Sequence, residues 1–319
     1  MAGARAGLLI GTALKFGDPR RLALQQREFS AGTAENELLW SSVHPDPDRW
    51  TFEGADRVVA FADEHDLDLT ATHFLWDPPA LPAVLPDWVR AIDEPVALRA
   101  AMREHLGALH DRYGGRIDRW NVVNEALDVV GGLEPTNHFN RVLGPGYIAE
   151  AFEMAEEIWP EAQLVLNQHL VENIPATADA LVALVRDLLA DGVRIDRVGL
   201  QGHLFLGRPN WDLLESTMRR ITALGPTVDL TEIDVPLRSI AGGAPIDLDQ
   251  QASRGARIVR TCLAVEKCAS ITFWGFDDGD TWLDDFIGPG TQPLLWDADL
   301  RPKPMHDAVL EALLRGRPG

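Results

Sequence analysis

Short strand-like runs alternate with helix-like runs along almost the whole chain, and this alternation constrains the fold more than any other feature. The strand-like runs are apolar or β-branched and lie at residues 8–12, 32–35, 67–73, 119–124, 163–167, 197–201, 227–232 and 270–274. Apolar residues recur at helical steps between them, at residues 54–65, 95–113, 147–158, 175–191, 212–224 and 249–264. Alternation of this kind predicts parallel strands joined by right-handed crossovers, and eight such units close into an α/β (β/α)8 TIM barrel.

The length and composition of the chain fit one such barrel. Its 319 residues, 46% of them hydrophobic, are enough for a single large core, and no sequence repeat or low-complexity linker divides them. The excess of 49 acidic over 29 basic residues gives a formal charge of −20, which repels polyphosphate and argues against a nucleic-acid partner. A neutral, hydroxyl-rich ligand suits this charge better, although the acidity first of all favours solubility.

Neither a membrane segment nor an export signal is evident in the sequence. No apolar run approaches the ~20 residues that a membrane helix needs, so we expect no membrane partner. The first residues lead directly into the first strand-like run. We expect a monomer that is secreted if the natural chain begins before Met1 and is cytoplasmic otherwise.

Two glutamates close separate strand-like runs, Glu125 after residues 119–124 and Glu232 in residues 227–232. Because the carboxyl ends of parallel strands meet at one mouth of a barrel, both carboxyls are expected there. Retaining glycoside hydrolysis needs one carboxylic acid to protonate the leaving oxygen and one carboxylate to attack the anomeric carbon. With strands ~4.8 Å apart and tilted ~36°, the ends of strands 4 and 7 lie about 13–14 Å apart, which leaves about 5 Å between carboxyls and favours the retaining course.

The motifs at the strand ends resemble those of glycoside hydrolase family 10, the family of endo-β-1,4-xylanases. The matching segments, in family order, are residues 32–37, 120–126, 201–204, 231–234 and 274–282. The resemblance implies retaining hydrolysis of β-1,4-xylosidic bonds in xylan or xylo-oligosaccharides, with no cofactor and no metal. It also implies that residues 1–319 form one catalytic domain without a separate carbohydrate-binding module.

The same resemblance assigns roles to the residues at the mouth. It makes Glu125 the acid/base and Glu232 the nucleophile, and Asn124 can donate to the sugar 2-hydroxyl. His203 can donate to Glu232 and hold it ionised, with Asp234 orienting the imidazole from behind. The negative charge of Glu232 is expected to raise the pKa of Glu125. The residues expected to bind the sugars are Glu35, Asn36, His73, Trp76, Asn124, Gln201, His203, Trp274 and Trp282.

Other tryptophans and the acidic loop have simpler interpretations. We expect packing roles for six indoles, those of Trp40, Trp50, Trp88, Trp120, Trp159 and Trp211. Hydrogen bonding within a turn is the favoured role of Asp277, Asp278 and Asp280, ahead of cation binding.

The sequence departs from the family pattern on the glycone side. Leu39 stands where the family has a lysine that contacts the second sugar. At the third strand either Thr72 replaces a histidine, which leaves the sugar one donor short, or His73 takes over that role; Asp77 replaces a further histidine. After the fifth strand the family's Asn-Asp-Tyr reads 167–169 Asn-Gln-His, which removes an aromatic contact. We expect retained chemistry with weak binding of long xylan, because a lost charge-assisted hydrogen bond costs about 1.5–3 kcal/mol. A small β-glycoside with an apolar aglycone is the alternative substrate.

The two cysteines, Cys262 and Cys268, are six residues apart. Spacing alone leaves free thiols and a disulfide equally open, since a bridge requires a sharp turn between them. Many members of the family carry a disulfide at this place, so the resemblance favours a bridge and hence an oxidising compartment, in conflict with the missing export signal.

Two further classes of protein compete with the glycosidase. One is a carbohydrate-binding barrel that has lost catalysis, against which both glutamates and their partners argue. The other is a metal-dependent hydrolase using His73, Asp77 and His203. Such sites generally gather several histidines on one ion, and no His-x-His closes any strand here.

Overall fold

The computed structural model describes residues 2–242 and 244–317 and has a closed barrel of eight parallel strands. Each strand pairs with the next along the chain, and the last pairs with the first, with Ile271 opposite Ile10. The strands are β1 (Leu9–Ala13), β2 (Ala31–Thr33), β3 (Asp68–Ala71), β4 (Arg119–Asn124), β5 (Gln163–Gln168), β6 (Arg197–Leu200), β7 (Thr227–Ile233) and β8 (Cys268–Phe273). The predicted (β/α)8 barrel is confirmed, and the third strand is shorter than predicted because it ends at Ala71.

Helices cover the outside of the barrel. They are α1 (Ala2–Ala6), α2 (Pro19–Glu28), α3 (Trp40–Val43), α4 (Glu53–Glu64), α5 (Asp87–Arg90), α6 (Pro95–Tyr113), α7 (His138–Leu143), α8 (Tyr147–Ile158), α9 (Pro175–Ala190), α10 (Trp211–Leu224), α11 (Leu248–Leu263), α12 (Trp282–Ile287) and α13 (Pro304–Arg315), with 3-10 turns at Pro82–Val84 and Leu204–Leu206. The six predicted helices are α4, α6, α8, α9, α10 and α11, and each observed end lies within one residue of its prediction. None of the described helices is long and apolar enough to cross a bilayer.

The helix α11 shows how local sequence forms these elements. Asp247 caps its first turn by accepting from the Gln250 N–H at 2.8 Å, and the Gln250 side chain accepts from the Asp247 N–H at 3.1 Å. Its apolar stripe, which includes Ile258 and Val259, is buried against the barrel and α13. A cap of this kind contributes about 1 kcal/mol and fixes where the helix begins.

The interior of the barrel below the mouth is partly polar. Arg197 on β6 contacts Asp229 on β7 at 2.8 Å, and Ser270 on β8 donates to the same carboxylate at 2.7 Å. All three side chains are largely buried, so each relies on these partners for its hydrogen bonds. The contacts tie three neighbouring strands together directly beneath the residues at the mouth.

The cysteines are bonded to each other, and the packing tryptophans are buried or half-buried. Cys262 at the end of α11 and Cys268 at the start of β8 form a disulfide across the sharp turn between these elements, with Cα atoms 5.4 Å apart. Trp40, Trp120 and Trp159 are fully buried. The remaining three indoles expected to pack are half-buried against the core or its aromatic neighbours, namely Trp50, Trp88 and Trp211.

Candidate active site

The two glutamates lie at the carboxyl ends of their strands. Glu125 directly follows β4, and its N–H donates to the Asn167 carbonyl at 3.0 Å. Its backbone has a φ of 54°, a left-handed conformation that costs energy for a non-glycine residue and persists only where neighbouring contacts hold it. Glu232 lies in β7, and its N–H donates to the Gln201 carbonyl at 2.8 Å. Main-chain bonds to the neighbouring strand therefore fix the position of both carboxylates.

Glu232 is the first member of a buried row of charged and polar groups. His203 Nε2 lies 3.1 Å from Glu232 Oε2, and His203 Nδ1 lies 2.8 Å from Asp234 Oδ2. The Trp282 indole N–H donates to the same Asp234 oxygen at 3.0 Å. Because each ring nitrogen of His203 faces a carboxylate, both nitrogens donate and the ring is an imidazolium. This row places the predicted nucleophile, His203 and Asp234 together.

The charge on His203 follows from its surroundings. Burial lowers the pKa of an imidazolium, but the charges of Asp234 and Glu232 and their hydrogen bonds outweigh burial and raise the pKa of His203 to about 10. A cation held between two carboxylates compensates part of the negative charge collected at the mouth. The two hydrogen bonds of the ring also keep the imidazole in one orientation toward Glu232.

We expect this titration to appear in the pH dependence of stability. The folded-state pKa of about 10 exceeds the ordinary value of 6.5, so the stabilisation is complete below pH 6.5 and is lost as pH rises through about 10. The unfolding free energy of the wild type should therefore fall relative to that of His203→Asn across this window. Denaturant titrations at several pH values measure it. His110→Asn, which removes a surface histidine paired with Glu161, is the control. Parallel curves for the wild type and His203→Asn would contradict the assignment.

Glu125 has three side-chain partners. Trp76 donates its indole N–H to Oε2 at 2.9 Å, and Gln201 donates its amide to Oε1 at 2.9 Å. His169 Nδ1 lies 3.2 Å from Oε1. Burial raises the pKa of Glu125, but the charge and hydrogen bond of His169, together with the other two donors, lower it to about 2. The predicted rise in the pKa of Glu125 is therefore wrong, because the charge and hydrogen bond of His169, with the bonds from Gln201 and Trp76, outweigh burial.

A network of side-chain amides fills the space between the two glutamates. Asn167 donates through Nδ2 to Glu232 Oε1 at 2.6 Å and to Asn124 Oδ1 at 2.9 Å. Gln201 donates to the same Asn124 oxygen at 3.2 Å. With its oxygen occupied, Asn124 presents its NH2 group to the cleft, where Nδ2 lies 3.5 Å from His73 Nε2. Gly199 makes room for this network, since a Cβ there would lie 2.1 Å from Asn167 Oδ1.

At the end of β3 His73, rather than Thr72, lies beside Asn124 and among the aromatic rings of the mouth. Thr72 is buried, and its hydroxyl donates to the main-chain oxygen of Ala34. The His73 ring lies 4.8 Å from the Trp76 ring and 6.4 Å from the Trp274 ring, between centroids. Burial lowers the pKa of His73, while the charges of the two glutamates oppose that effect. A buried neutral imidazole beside Asn124 suits binding of a hydroxyl group.

On the glycone side the structure reveals a cation that sequence reasoning missed. Lys15, just beyond β1, lies 2.6 Å from Glu35 and 3.2 Å from Asp280. Leu39 is buried at the start of α3, and Asn36 is exposed beside Glu35. A cation therefore lies beside Glu35, although it follows β1 and does not occupy the position of the family lysine, which is that of Leu39 before α3.

The loop aspartates pair mainly with basic residues from other elements. Arg21 contacts Asp277 at 2.6 Å, and Lys303 contacts Asp278 at 2.8 Å. The turn accounts for only part of this bonding, such as the Gly279 N–H that Asp277 accepts at 3.0 Å.

The contacts of Asp77 bear on the metal-dependent alternative. Asp77 binds Arg90 and accepts from the His138 N–H at 2.8 Å, so its carboxylate already has protein partners. Across residues 2–242 and 244–317, no three His, Cys, Asp or Glu side chains are arranged to hold a metal ion. The metal-dependent hydrolase therefore finds no support among the described residues.

A TIM barrel with two carboxylates at its mouth, each held by hydrogen-bond donors, defines the protein as a glycoside hydrolase. The sequence model for glycosyl hydrolase family 10 matches residues 2–312. The endo-1,4-beta-xylanase 2 of Aureobasidium pullulans is 30% identical over 318 residues, covering 95% of this chain and 86% of that protein. The chain belongs to glycosyl hydrolase family 10.

Solved structures show the same similarity. Native xylanase 10B from Thermotoga maritima superposes with a TM-score of 0.89 at 29% identity, over 98% of this chain and 97% of that one. Xylanase 10B from Thermotoga petrophila RKU-1, in complex with xylobiose, superposes with a TM-score of 0.90 at 28% identity, over 98% and 96% of the two chains.

Proposed function

We propose that the protein is a retaining endo-1,4-β-xylanase that cleaves xylan or xylo-oligosaccharides by double displacement. The observation that carries the proposal is Glu232, whose two oxygens accept from Asn167 and His203, next to Glu125 on the same amide network. The xylanases of similar sequence and the xylobiose complex support the substrate. We further propose that residues 1–319 work as one catalytic domain and as a monomer.

Each side chain has a proposed task in this reaction. Glu232 attacks the anomeric carbon, and the leaving oxygen takes a proton from Glu125. His203 keeps the attacking carboxylate oriented and compensates its charge. Asn124 donates to the sugar 2-hydroxyl, a hydrogen bond that strengthens as positive charge develops on the ring. In the second half Glu125 takes a proton from water, which displaces Glu232.

The remaining residues of the mouth are proposed to bind the sugar chain. Glu35, Asn36 and His73 offer acceptors and donors to hydroxyl groups, while Gln201 holds Glu125 in place. The indoles of Trp76, Trp274 and Trp282 offer apolar faces to the C–H groups of sugar rings. Lys15 adds the cation that Leu39 does not provide, which offsets the expected weakness toward long chains.

A small β-glycoside with an apolar aglycone is the second candidate substrate. The observation in its favour is an aromatic patch next to His203, formed by Phe205, Trp282 and Phe286. Ring centroids within the patch are 5.3–6.1 Å apart, and 43% of Phe286 is exposed. An aglycone ring that packs on this patch would gain apolar burial.

Turnover on xylan, xylotriose and aryl β-xylosides tests the proposal. We expect internal cleavage of xylan, with the β-anomer as the first product seen by NMR. Higher kcat/KM on small aryl glycosides than on any xylo-oligosaccharide would favour the second candidate. Sugar binding without turnover on any of them would overturn both in favour of a binding protein.

A further inference from the structure

His169 is the one titratable side chain among the partners of Glu125. It directly follows β5, and its Nδ1 lies 3.2 Å from Glu125 Oε1. The other two partners, Trp76 and Gln201, donate hydrogen bonds, but their side chains do not titrate. The side chains of His169 and Glu125 are 24% and 16% exposed, so the contact is shielded but open to the cleft.

The charged groups around His169 come from three strand ends. Glu125 follows β4, Glu172 lies in the loop after β5, and His203 follows β6. Burial lowers the pKa of His169, but the charge and hydrogen bond of Glu125 outweigh burial and raise it above 6.5. Glu172 also favours the cation, whereas His203 opposes it.

Glu172 is a second acidic group close enough to His169 to influence its charge. It is buried, and among the described residues neither of its carboxyl oxygens has a hydrogen-bond partner. Burial raises its pKa to about 7. Its charge therefore changes near neutral pH.

We propose that His169 and Glu125 share the proton of the acid/base step, with the proton resting on His169 in the free enzyme. His169 acts through Glu125 and touches no reacting atom, so it is a positioning residue for the proton. The inference rests on the proposed function, because it deepens the role of Glu125. It also resolves a difficulty, since a carboxyl that is ionised at rest has no proton of its own to donate.

The proton balances over the two half-reactions. In the first, the Nδ1 proton of His169 moves to Glu125 and from there to the glycosidic oxygen as the C–O bond breaks and the Glu232 oxygen bonds to the anomeric carbon. His169 is then neutral and Glu125 ionised. In the second, water bonds to the anomeric carbon, the bond to Glu232 breaks, and the water proton passes through Glu125 back to His169.

The variant His169→Asn separates hydrogen bonding from proton storage, because its amide keeps a donor near the Nδ1 position but does not titrate. The measurement is kcat/KM against pH for two β-xylosides, one with a phenol leaving group and one with a dinitrophenol that needs no protonation. For the phenyl xyloside we expect the basic limb, the pH range in which kcat/KM falls, to begin about one pH unit lower in the variant than in the wild type. At pH values above this limb, kcat/KM of the variant should be about tenfold lower. The dinitrophenyl xyloside should change less than about twofold. His110→Asn, at a surface histidine 3.0 Å from Glu161, should match the wild type.

An unchanged basic limb, or equal losses on both substrates, would overturn the inference. A second test does not depend on activity. It measures the pKa of His169 by NMR in the wild type and in Glu125→Gln. We expect the pKa of His169 to fall when the carboxylate becomes an amide, and an unchanged value would overturn the inference. If instead the wild type does not hydrolyse xylosides at all, the proposed function fails. If the wild type hydrolyses them but His169→Asn has the same basic limb, only the inference about His169 fails.

Discussion

Replacing Glu232 with glutamine is expected to lower kcat on xylan by on the order of 10⁴-fold or more, because an amide cannot form the bond to the anomeric carbon. The amide keeps the size of the carboxylate, and it can still accept from Asn167 or His203. Sugar binding should therefore persist while turnover is lost. Steady-state kinetics and calorimetric titration with xylotriose measure the two effects separately.

A matched control for this variant is Glu161→Gln, since Glu161 is a surface glutamate that also lies within 3.0 Å of a histidine. It should leave kcat unchanged. More than about 1% residual activity in a folded Glu232→Gln protein would mean that another group forms the covalent bond, because loss of a nucleophile costs far more than this.

Replacing Glu125 with alanine is expected to cost on the order of 10²–10⁴-fold in kcat/KM on xylan, the usual contribution of a general acid. The loss should nearly vanish for dinitrophenyl β-xyloside, whose leaving group needs no proton. Azide should then restore turnover of the trapped intermediate as a β-xylosyl azide, because the space left by the side chain admits a small nucleophile. Equal losses on both substrates, with no effect of azide, would contradict the acid/base role.

The barrel was predictable because short apolar or β-branched runs alternate along the chain with six segments whose apolar residues recur at helical steps. Helix α2 was missed because its sequence is mostly polar and only Gln25 is buried. Its signals are local ones, namely Pro19 in the first turn and Asp18, which caps the helix by accepting from the Arg20 N–H at 2.8 Å. The predicted third strand ran past its end because the β-branched Thr72 continues the strand-like composition of the preceding residues, whereas the observed strand ends at Ala71.

At the site, the sequence predicted the two glutamates and the contact between His203 and Glu232, but it did not predict that Asn167 binds Glu232 or that His169 binds Glu125. Nothing in the run Asn167-Gln168-His169 indicates that the imidazole reaches Glu125, so its replacement of the family's tyrosine looked like a simple loss. Lys15 was missed for the same reason, because it meets Glu35 only once β1 and β2 are paired. The signal available was the residue type alone, and its position depends on tertiary packing.

The covalent step through Glu232 is the central claim, and trapping it tests that claim most directly. A 2-fluoro-β-xyloside with a dinitrophenol leaving group forms the glycosyl-enzyme quickly and releases it slowly, since fluorine destabilises the positive charge of both transition states. Mass spectrometry of the digested protein should find one 2-fluoroxylosyl group, on the peptide that contains Glu232. An adduct on any other residue, or no adduct together with an α-configured first product from xylan, would contradict the account.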